Sequence, residues 1–540
     1  MATHDVTNQV PDFAGHDLFT TDATLTESFA RWGSSADRAD LEDLGTAANS
    51  VATQRLADQA DNNPPTLRTH DRRGLRIDEV DFHPAYHSLM TTAIGHGLTA
   101  EPWTRPAASG QHLRRAAGFV VWSQAEAGHL CPISMSYAAA PALRSTPDLA
   151  DRWVPLLASR TYDPELGPLA TKTGVTMGMG MTEKQGGSDV RANTTRAVAD
   201  GDGWRLTGHK WFCSAPMSDA FLVLAQTDAG VGCFLVPRVL DDGSRNVFAL
   251  QRLKDKLGNR SNASSEVEFD HTFAWLVGDD GRGVRTIIDM VASTRLDCVL
   301  GSSATMRQAL VRALWHTRHR SAFGARLVDQ PLMRNVLVDL ALESEAATLL
   351  AMRLAHAVDA GDSDLSRLGV AVGKFWVCKR TAPMVAEALE CLGGVGYVEE
   401  NGLARLYREA PLNSIWEGSG NVNALDVLRA ISREPASLAA VAKDASLARG
   451  HSRVLDRAID EIEPLAGVVT RDDAAWNARR IVERLALTLQ AALLVQHSPA
   501  VVADAFIDSR LDGGHGVVFG TLGASRAAYA DAILDRAFPV

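Results

Sequence analysis

The chain has 540 residues, enough for three or four domains of about 150 residues each. It carries 54 basic and 65 acidic side chains, and the net charge of −11 argues against a protein whose whole surface binds nucleic acid. Hydrophobic residues make up 46% and charged residues 22%, as in soluble globular proteins. A chain of this length buries its cores without disulfides or structural metals.

The six cysteines are scattered, and none forms a Cys-x-x-Cys pair, which argues against a zinc site or a redox dithiol. We therefore expect no metal, reduced thiols and a cytoplasmic location. The first residues lack the basic start and apolar run of a signal peptide. The apolar stretch at 485–495 is too short to span a bilayer, so we expect no membrane segment.

The N-terminal part begins with an acidic, polar stretch, residues 1–66, that ends in Asn-Asn-Pro-Pro, a loop signal. We predict a partly helical extension here that packs on another element or subunit. From about residue 78 to 160, apolar residues recur three and four apart, which predicts helices. We assign residues 67–180 to an N-terminal helical domain.

The pattern changes between about 172 and 285, where short alternating or β-branched runs are bounded by Asp-Gly turns. Strands without intervening helices indicate antiparallel pairing in a barrel or sandwich, so we predict a β domain at 181–283. Helical patterns with glycine stops then return, typical of an antiparallel bundle at 284–435 and a further helical domain at 436–540. The predicted fold class is α+β.

Common nucleotide and hydrolase motifs are missing. No Gly-x-Gly-x-x-Gly follows a predicted strand, and the Gly-Lys of residues 369–375 (GVAVGKF) lacks the P-loop spacing and its final Ser/Thr. The sequence also lacks His-Glu-x-x-His and Gly-x-Ser-x-Gly. These absences leave NAD-dependent and common hydrolase functions without support.

The first chemically suggestive segment is residues 181–190, MTEKQGGSDV, at the start of the β domain. Its backbone N–H groups, with the hydroxyls of Thr182 and Ser188, suit a phosphate or a polar ring. On local chemistry alone, a hairpin loop with an Asp-capped turn is the more ordinary interpretation.

The second segment is residues 208–214, GHKWFCS. Phe212 and Ser214 are two residues apart, so a strand places both on one face, where they can stack on a flat cofactor and hydrogen-bond its edge. The alternative is a strand whose aromatic residues belong to the core.

The third segment combines the glycine-rich residues 392–397 with 415–421, IWEGSGN. Aromatic packing beside Glu417 would raise the pKa of its carboxyl group, and the neighbouring glycines let a ligand approach the backbone. Both features suit a general base. The alternative is a glutamate in a capped loop that leads into a helix near Asn421.

Together, the three segments and the α–β–α order resemble the acyl-CoA dehydrogenase family over roughly residues 80–432. In that family the Thr-Glu-x-x-x-Gly-Ser-Asp loop and the following strand hold FAD, and the glutamate of an aromatic-Glu-Gly-Thr/Ser segment is the base. Glu417 corresponds to that base. The segment 320–324 (RSAFG) is similar to one that reaches the FAD of a neighbouring subunit. The resemblance implies FAD contacts from Met179, Met181, Thr182, Gly187, Ser188, Phe212, Ser214, Arg320, Phe323, Gln330, Gly394, Ile415, Trp416, Gly418, Ser419 and Asn421.

Within the family, residues 181–190, 253–264 and 406–421 and the extra C-terminal segment are most similar to the AidB-type alkylation-response flavoproteins. Members of this branch are FAD-binding tetramers, described as DNA-associated and as weak dehydrogenases of branched short acyl-CoAs. The resemblance therefore implies a homotetramer, an acyl-CoA thioester substrate and an electron acceptor such as an electron-transfer flavoprotein, or oxygen.

The chain departs from the family pattern at four points, one of which is Glu390, where many relatives carry Gln. Phe212 and Ser214 stand where the family usually has Trp-x-Thr, so stacking area is lost while a hydroxyl donor is kept. Gln330 is one residue nearer to Arg320 than is usual. Trp416 replaces the commoner Tyr, and its bulk would narrow the acyl pocket, favouring short substrates or none.

The resemblance implies that Glu417 removes the α-proton of an acyl thioester while the β-hydrogen leaves as hydride to FAD, with hydrogen bonds stabilising the enolate. Arg295 resembles the family arginine near the base and would orient or tune it. The alternative for Arg295 is a helix residue paired with a structural acid. The predicted function is thus α,β-dehydrogenation of short or branched acyl-CoA thioesters.

A second hypothesis is a flavoprotein that binds double-stranded DNA nonspecifically and protects it from alkylation, with weak dehydrogenase activity. Residues 441–540 hold 11 basic and 13 acidic side chains, so this segment has a net charge of −2. Arg449, Arg453 and Arg457 would form one basic stripe on a helix, although such arginines more often pair with neighbouring aspartates. The charge favours the flavoenzyme.

Overall fold

The computed structural model describes residues 3–106 and 108–539. The helices, in chain order, are α1 (Ala23–Trp32), α2 (Arg38–Ala48), α3 (Val51–Asn62), α4 (Pro84–Gly95), α5 (Gln111–Ser123), α6 (Leu130–Leu143), α7 (Pro147–Leu157), α8 (Gly283–His319), α9 (Pro331–Asp359), α10 (Ser363–Glu390), α11 (Leu403–Glu409), α12 (Gly420–Arg433), α13 (Pro435–Ser446), α14 (Arg453–Asp460), α15 (Leu465–Val468), α16 (Ala474–His497), α17 (Ala500–Arg510) and α18 (Ala530–Ala537). The strands are β1 (Thr66–His70), β2 (Arg76–Asp81), β3 (Met177–Gly180), β4 (Arg196–Asp200), β5 (Gly203–Ser214), β6 (Ala220–Thr227), β7 (Gly230–Pro237), β8 (Ala249–Leu253), β9 (Ser264–Val277), β10 (Ser321–Ala322) and β11 (Ala325–Arg326).

The chain divides into two compact units. The helical unit comprises residues 1–51, 107–124 and 295–540, and the mixed unit comprises residues 52–106 and 125–294. The five domains expected from the sequence, and the four boundaries between them, stay predictions.

The mixed unit is organised around a seven-stranded sheet with the order β3-β6-β4-β5-β9-β7, in which β8 pairs with β9. Because β7 also pairs with β6, the strands from β6 to β7 close into a ring, which agrees with the barrel, one of the two predicted alternatives. Most pairings are antiparallel as expected, but β3 and β4 run parallel to β6. The interior is filled by fully buried apolar side chains such as Leu206, Phe221, Phe234 and Val267.

A short hairpin of β1 and β2 lies between α3 and α4, where the sequence predicts no strand. Its residues are largely charged and partly exposed, and Arg68 forms ion pairs across the hairpin with Glu79 and Asp81. Cross-strand charge pairs replace the hydrophobic alternation that usually marks a strand, so the sequence carries no strand signal here.

The helical unit is built on α9 and α10, which are joined by a turn at residues 360–362 and line its core. Helices α12, α13 and α16 pack against α10, so the extra C-terminal segment belongs to the same core. The N-terminal extension packs on this unit through α1 against α9 and α2 against α5, which confirms that it is partly helical and docked on another element. Among the described residues, no helix is long and apolar enough to cross a membrane.

Candidate active site

The loop of residues 181–190 follows β3 in the mixed unit and folds tightly back on itself. The backbone N–H of Trp211 on β5 donates to the Thr182 carbonyl (2.8 Å), and Asn193 donates from its amide to the Met181 carbonyl (2.9 Å). A Cβ atom at Gly187 would lie 2.3 Å from the Thr182 hydroxyl oxygen, so the close approach of these two residues favours glycine at position 187. The structure thus brings together Met181, Thr182 and Gly187, while Ser188 is exposed.

A buried ion pair anchors this loop to the sheet. Glu183 and Lys210 are 0% and 1% exposed, and Lys210 Nζ donates to Glu183 Oε1 at 2.7 Å. The Glu183 carboxylate also accepts the backbone N–H groups of Thr194 (2.7 Å) and Thr195 (3.2 Å). Although burial raises the pKa of Glu183, these donors outweigh it and hold that pKa well below the usual range. Sequence reasoning assigned neither residue a role.

The second segment lies on β5, and the structure places Phe212 and Ser214 on one face, as predicted. Phe212 is 51% exposed, whereas Cys213 between them is fully buried. The Ser214 hydroxyl lies 3.2 Å from that of Ser264 on β9. Lys210 is buried despite its even spacing from Phe212, because a register shift lies between Lys210 and Cys213. The exposed ring and the adjoining glycine loop, with Met179 buried at its base, suit a flat cofactor.

The third segment, in the helical unit, presents Glu417 in an unusual backbone conformation. Its φ is +56°, in the left-handed region that non-glycine residues rarely adopt, and Gly418 follows at φ +94°. Such a conformation costs about 1–3 kcal/mol and persists only where surrounding contacts enforce it. Glu417 is half-buried, next to the half-buried Trp416 and the exposed Ile415.

Side-chain donors hold three consecutive carbonyl groups around Glu417. Lys374 Nζ on α10 donates to the carbonyls of Trp416 (2.7 Å) and Gly418 (2.5 Å). Arg295 Nε donates to the Glu417 carbonyl (3.0 Å), and Asn423 donates from its amide to the Gly418 carbonyl (2.6 Å). These bonds explain how the strained conformation is maintained.

Arg295 contacts both of the groups that the sequence suggested for it, the segment of the predicted base and a nearby acid. Besides its bond to the Glu417 backbone, its Nη1 lies 2.8 Å from a carboxylate oxygen of Asp426 on α12. Asp426 also accepts from Arg367 (3.1 Å). Burial raises the pKa of Asp426, but Arg295 and Arg367 together lower it below its usual value. Arg295 is therefore a partner of a structural acid and a neighbour of the predicted base.

The segment 320–330 forms a small hairpin of β10 and β11 in the helical unit. Phe323 stands at its tip, 99% exposed and with φ +53°. Gln330 donates from its amide to the Ala322 carbonyl (3.2 Å) and braces the hairpin. Arg320 donates to the backbone carbonyl of Asn8, so the N-terminal extension contacts this predicted cofactor residue.

The remaining predicted residues lie around the base segment. The Trp416 ring is fixed by a hydrogen bond from Nε1 to Asn413 Oδ1 (2.8 Å). Asn421, in the first turn of α12, accepts from Arg479 of the C-terminal segment (2.8 Å), and Ser419 precedes that helix. A Cβ atom at Gly394 would meet nothing within 4 Å, so the local structure does not require glycine there.

The prediction that Arg449, Arg453 and Arg457 form one basic stripe on a helix is wrong. Helix α14 begins at Arg453, which leaves Arg449 outside it. Arg449 forms an ion pair with Asp460 at 2.8 Å instead. Arg453 and Arg457 remain exposed on α14. Helix α13 ends at Ser446, and the turn that follows, with Gly450 at φ +87°, separates Arg449 from α14 and interrupts the stripe.

Comparison with known proteins decides the family. Residues 8–164 match the adaptive response protein AidB N-terminal domain, 178–272 the acyl-CoA dehydrogenase middle domain and 281–432 the acyl-CoA dehydrogenase C-terminal domain. The putative acyl-CoA dehydrogenase AidB of Escherichia coli (strain K12) is 44% identical over 521 residues, 95% of this chain and 96% of that protein. The chain belongs to the acyl-CoA dehydrogenase family.

Other relatives agree with this assignment. Acyl-CoA dehydrogenase family member 11 of Caenorhabditis elegans is 30% identical over 503 residues, which are 87% of this chain and 76% of that protein. The crystal structure of C. elegans ACDH-11 in complex with C11-CoA has a TM-score of 0.86 at 26% identity, covering 99% of this chain and 98% of that one. These comparisons confirm the α+β acyl-CoA dehydrogenase fold, an oxidoreductase and FAD as the family cofactor.

The acyl-CoA dehydrogenase motifs located the loop of residues 181–190 and the segment 415–421 but missed the side chains that hold them. Lys374 and Asn423 support Glu417, and Lys210 supports the loop of the mixed unit. For Lys374 a signal exists in the sequence, since a single lysine in the apolar run 370–378 points to a buried charge. Among the described residues, no group of three or more His, Cys, Asp or Glu side chains is placed to hold a metal.

Proposed function

We propose that this acyl-CoA dehydrogenase relative catalyses α,β-dehydrogenation of an acyl-CoA thioester with Glu417 as the base. The observation that carries the proposal is the left-handed conformation of Glu417 and the donors that enforce it. Strained residues over-determined by their surroundings concentrate at active sites. A base must keep its carboxylate at a fixed position relative to the bound substrate, and this segment is built to do so.

In the proposed mechanism, Glu417 takes the proton from the carbon next to the thioester carbonyl. Arg295 fixes the Glu417 backbone by donating to its carbonyl, and Asp426 balances the charge of Arg295. FAD, when bound, supplies the acceptor for the β-hydrogen as hydride. Thr182, Ser188 and the Phe212–Ser214 face of the mixed unit would hold FAD.

We propose short or branched acyl groups as substrates. The hydrogen bond between Trp416 Nε1 and Asn413 prevents the indole from swinging aside, so its bulk stays next to the base. Because the C. elegans relative was crystallised with C11-CoA, the substrate panel must extend from short and branched to medium chain lengths. An electron-transfer flavoprotein is the proposed acceptor of the electrons.

We also propose a homotetramer. Phe323 is 99% exposed at the tip of a hairpin braced by Gln330. A large apolar side chain held outward in this way suits burial against another subunit. Size measurement of the wild type and of Phe323→Ser tests this assembly, which is contradicted if the wild type is monomeric.

The test of function is an anaerobic panel of acyl-CoA thioesters against the FAD-loaded protein, with bleaching of the flavin absorbance as the readout. At least one thioester should bleach the wild type, and Glu417→Gln should slow bleaching by about 10²–10⁴-fold, the usual contribution of a general base. Glu400→Gln, a change at an exposed glutamate of the same unit, is the matched control and should leave the rate unchanged. Equal bleaching by wild type and Glu417→Gln refutes the base assignment.

A further inference from the structure

Lys374 is a buried lysine that the family motifs do not account for. It lies on α10 in the segment 369–375, whose Gly-Lys does not match a P-loop, and it is 1% exposed. Its ammonium donates to the carbonyls of Trp416 (2.7 Å) and Gly418 (2.5 Å), the residues on either side of Glu417. Within residues 3–106 and 108–539, no carboxylate lies within ion-pair distance of it.

Burying an ammonium away from water is costly unless other groups compensate for its charge. Two backbone carbonyls compensate for part of it, because each presents the negative end of its dipole. An ammonium has three N–H donors, so one nitrogen atom satisfies both carbonyls at once. The bond to Trp416 fixes the peptide group before the Glu417 Cα atom, and the bond to Gly418 fixes the peptide group after Gly418, while Arg295 holds the carbonyl between them.

We propose that Lys374 is the positioning residue of the base: it ties the carbonyls on either side of Glu417 to one buried nitrogen atom and so holds Glu417 in its left-handed conformation. This inference rests on the proposed function and deepens it. Arg295 holds only the Glu417 carbonyl, whereas Lys374 holds the carbonyls before and after it. Lys374 thus keeps the Glu417 side chain in position to accept the α-proton.

The first test measures conformation and requires no turnover. Lys374→Met keeps the apolar stem and removes the ammonium, and hydrogen exchange followed by mass spectrometry reads the amides of residues 415–421. We expect exchange at least tenfold faster there than in the wild type. Lys443→Met, a change at an exposed lysine on α13, is the control and should exchange like the wild type. Unchanged exchange in Lys374→Met overturns the positioning role.

The second test separates substrate binding from the chemical step in flavin bleaching. Lys374→Met should lower the bleaching rate at saturating substrate by at least about tenfold, while the substrate concentration for half-maximal rate stays close to that of the wild type, because the base is displaced and the binding surface is not. An unchanged rate at saturating substrate overturns the positioning role. Lys374→Gln, which keeps N–H donors but has no charge, replaces Lys374→Met if that variant does not fold. If no thioester bleaches the wild type, the proposed function fails, while the exchange test still decides the positioning role.

Discussion

Replacing Lys210 by methionine should destabilise the mixed unit and loosen the loop of residues 181–190. Lys210 and Glu183 are both fully buried, and their atoms Nζ and Oε1 lie 2.7 Å apart. The methionine retains most of the stem but leaves the Glu183 carboxylate buried without its cation. Breaking a buried pair in this way costs about 3–5 kcal/mol in the free energy of unfolding.

The remaining contacts of Glu183 narrow the expected loss in the free energy of unfolding. Glu183 would keep the backbone donors of Thr194 (2.7 Å) and Thr195 (3.2 Å), which continue to compensate for part of its charge. We therefore expect a loss of about 3 kcal/mol, near the lower end. In the double variant Lys210→Met/Glu183→Gln, no charge remains buried, and the loss should fall to about 1 kcal/mol, as for a hydrogen bond.

The effect should depend on pH with a defined sign. The pKa of Glu183 lies below its ordinary value of 4.5 in the folded protein, so the pair stabilises the wild type fully above that value. This stabilisation is lost as the pH falls toward the folded pKa. In Lys210→Met, the buried carboxyl takes up a proton more readily, so the difference between variant and wild type should shrink below about pH 4.5.

Urea unfolding followed by tryptophan fluorescence measures the free energy, and quenching of FAD fluorescence on titration measures cofactor affinity. Lys184→Met changes a lysine of the same loop whose side chain is 53% exposed, and it should alter stability by less than about 0.5 kcal/mol. A loss below about 1 kcal/mol for Lys210→Met, or one that does not change with pH, refutes the reasoning.

Two further substitutions follow from close contacts. Gly187→Ala places a Cβ atom 2.3 Å from the Thr182 hydroxyl oxygen, so the affinity for FAD should fall at least tenfold. Gly95→Ala is the control, because its Cβ atom meets nothing within 4 Å, and it should leave the affinity for FAD unchanged. Equal affinities in both variants would contradict the steric argument. Arg510→Met leaves Glu343, whose pKa is lowered to about 2 by Arg380 and Arg510 against the opposing effect of burial, with one cation fewer. The expected loss is about 3 kcal/mol in urea unfolding, and a loss below about 1 kcal/mol would show that the pair contributes little.

Strand predictions succeeded where the side chains alternate or form apolar runs. Within the region of about 172–285, where the sequence predicts short alternating or β-branched runs, the structure has β5, β6, β7 and β9, because their buried residues fit a barrel interior. The parallel pairing of β3 with β6 joins segments about forty residues apart, and local patterns do not encode such a partner. The charged hairpin of β1 and β2 gave no pattern to detect.

For the candidate site, motifs located Glu417 and the loop of residues 181–190 because their residue order is distinctive. The supporting residues come from distant parts of the chain: Lys374 lies 43 positions before Glu417, and Lys210 lies 27 positions after Glu183. Such contacts follow from tertiary packing rather than from local sequence. The position of Lys374 in an apolar helix indicates a buried charge, but only the structure identifies the carbonyls of Trp416 and Gly418 as its partners.

The charges of the C-terminal segment also bear on the choice between acyl-CoA dehydrogenation and DNA binding as the function of this chain. Several arginines of the C-terminal segment are committed to carboxylates within the helical unit. These pairs are Arg449 with Asp460, Arg484 with Glu461, Arg510 with Asp339, Arg526 with Asp508, and Arg536 with Glu27 and Glu345. An arginine already neutralised by a carboxylate releases few counterions on meeting a phosphate, so it adds little to DNA affinity.

In this chain the C-terminal segment contributes to the core of the helical unit: α16 packs on α12, and Arg479 donates to Asn421 beside the segment of the predicted base. DNA binding stays a prediction from resemblance, whereas these contacts give the extra helices a structural role in the proposed enzyme.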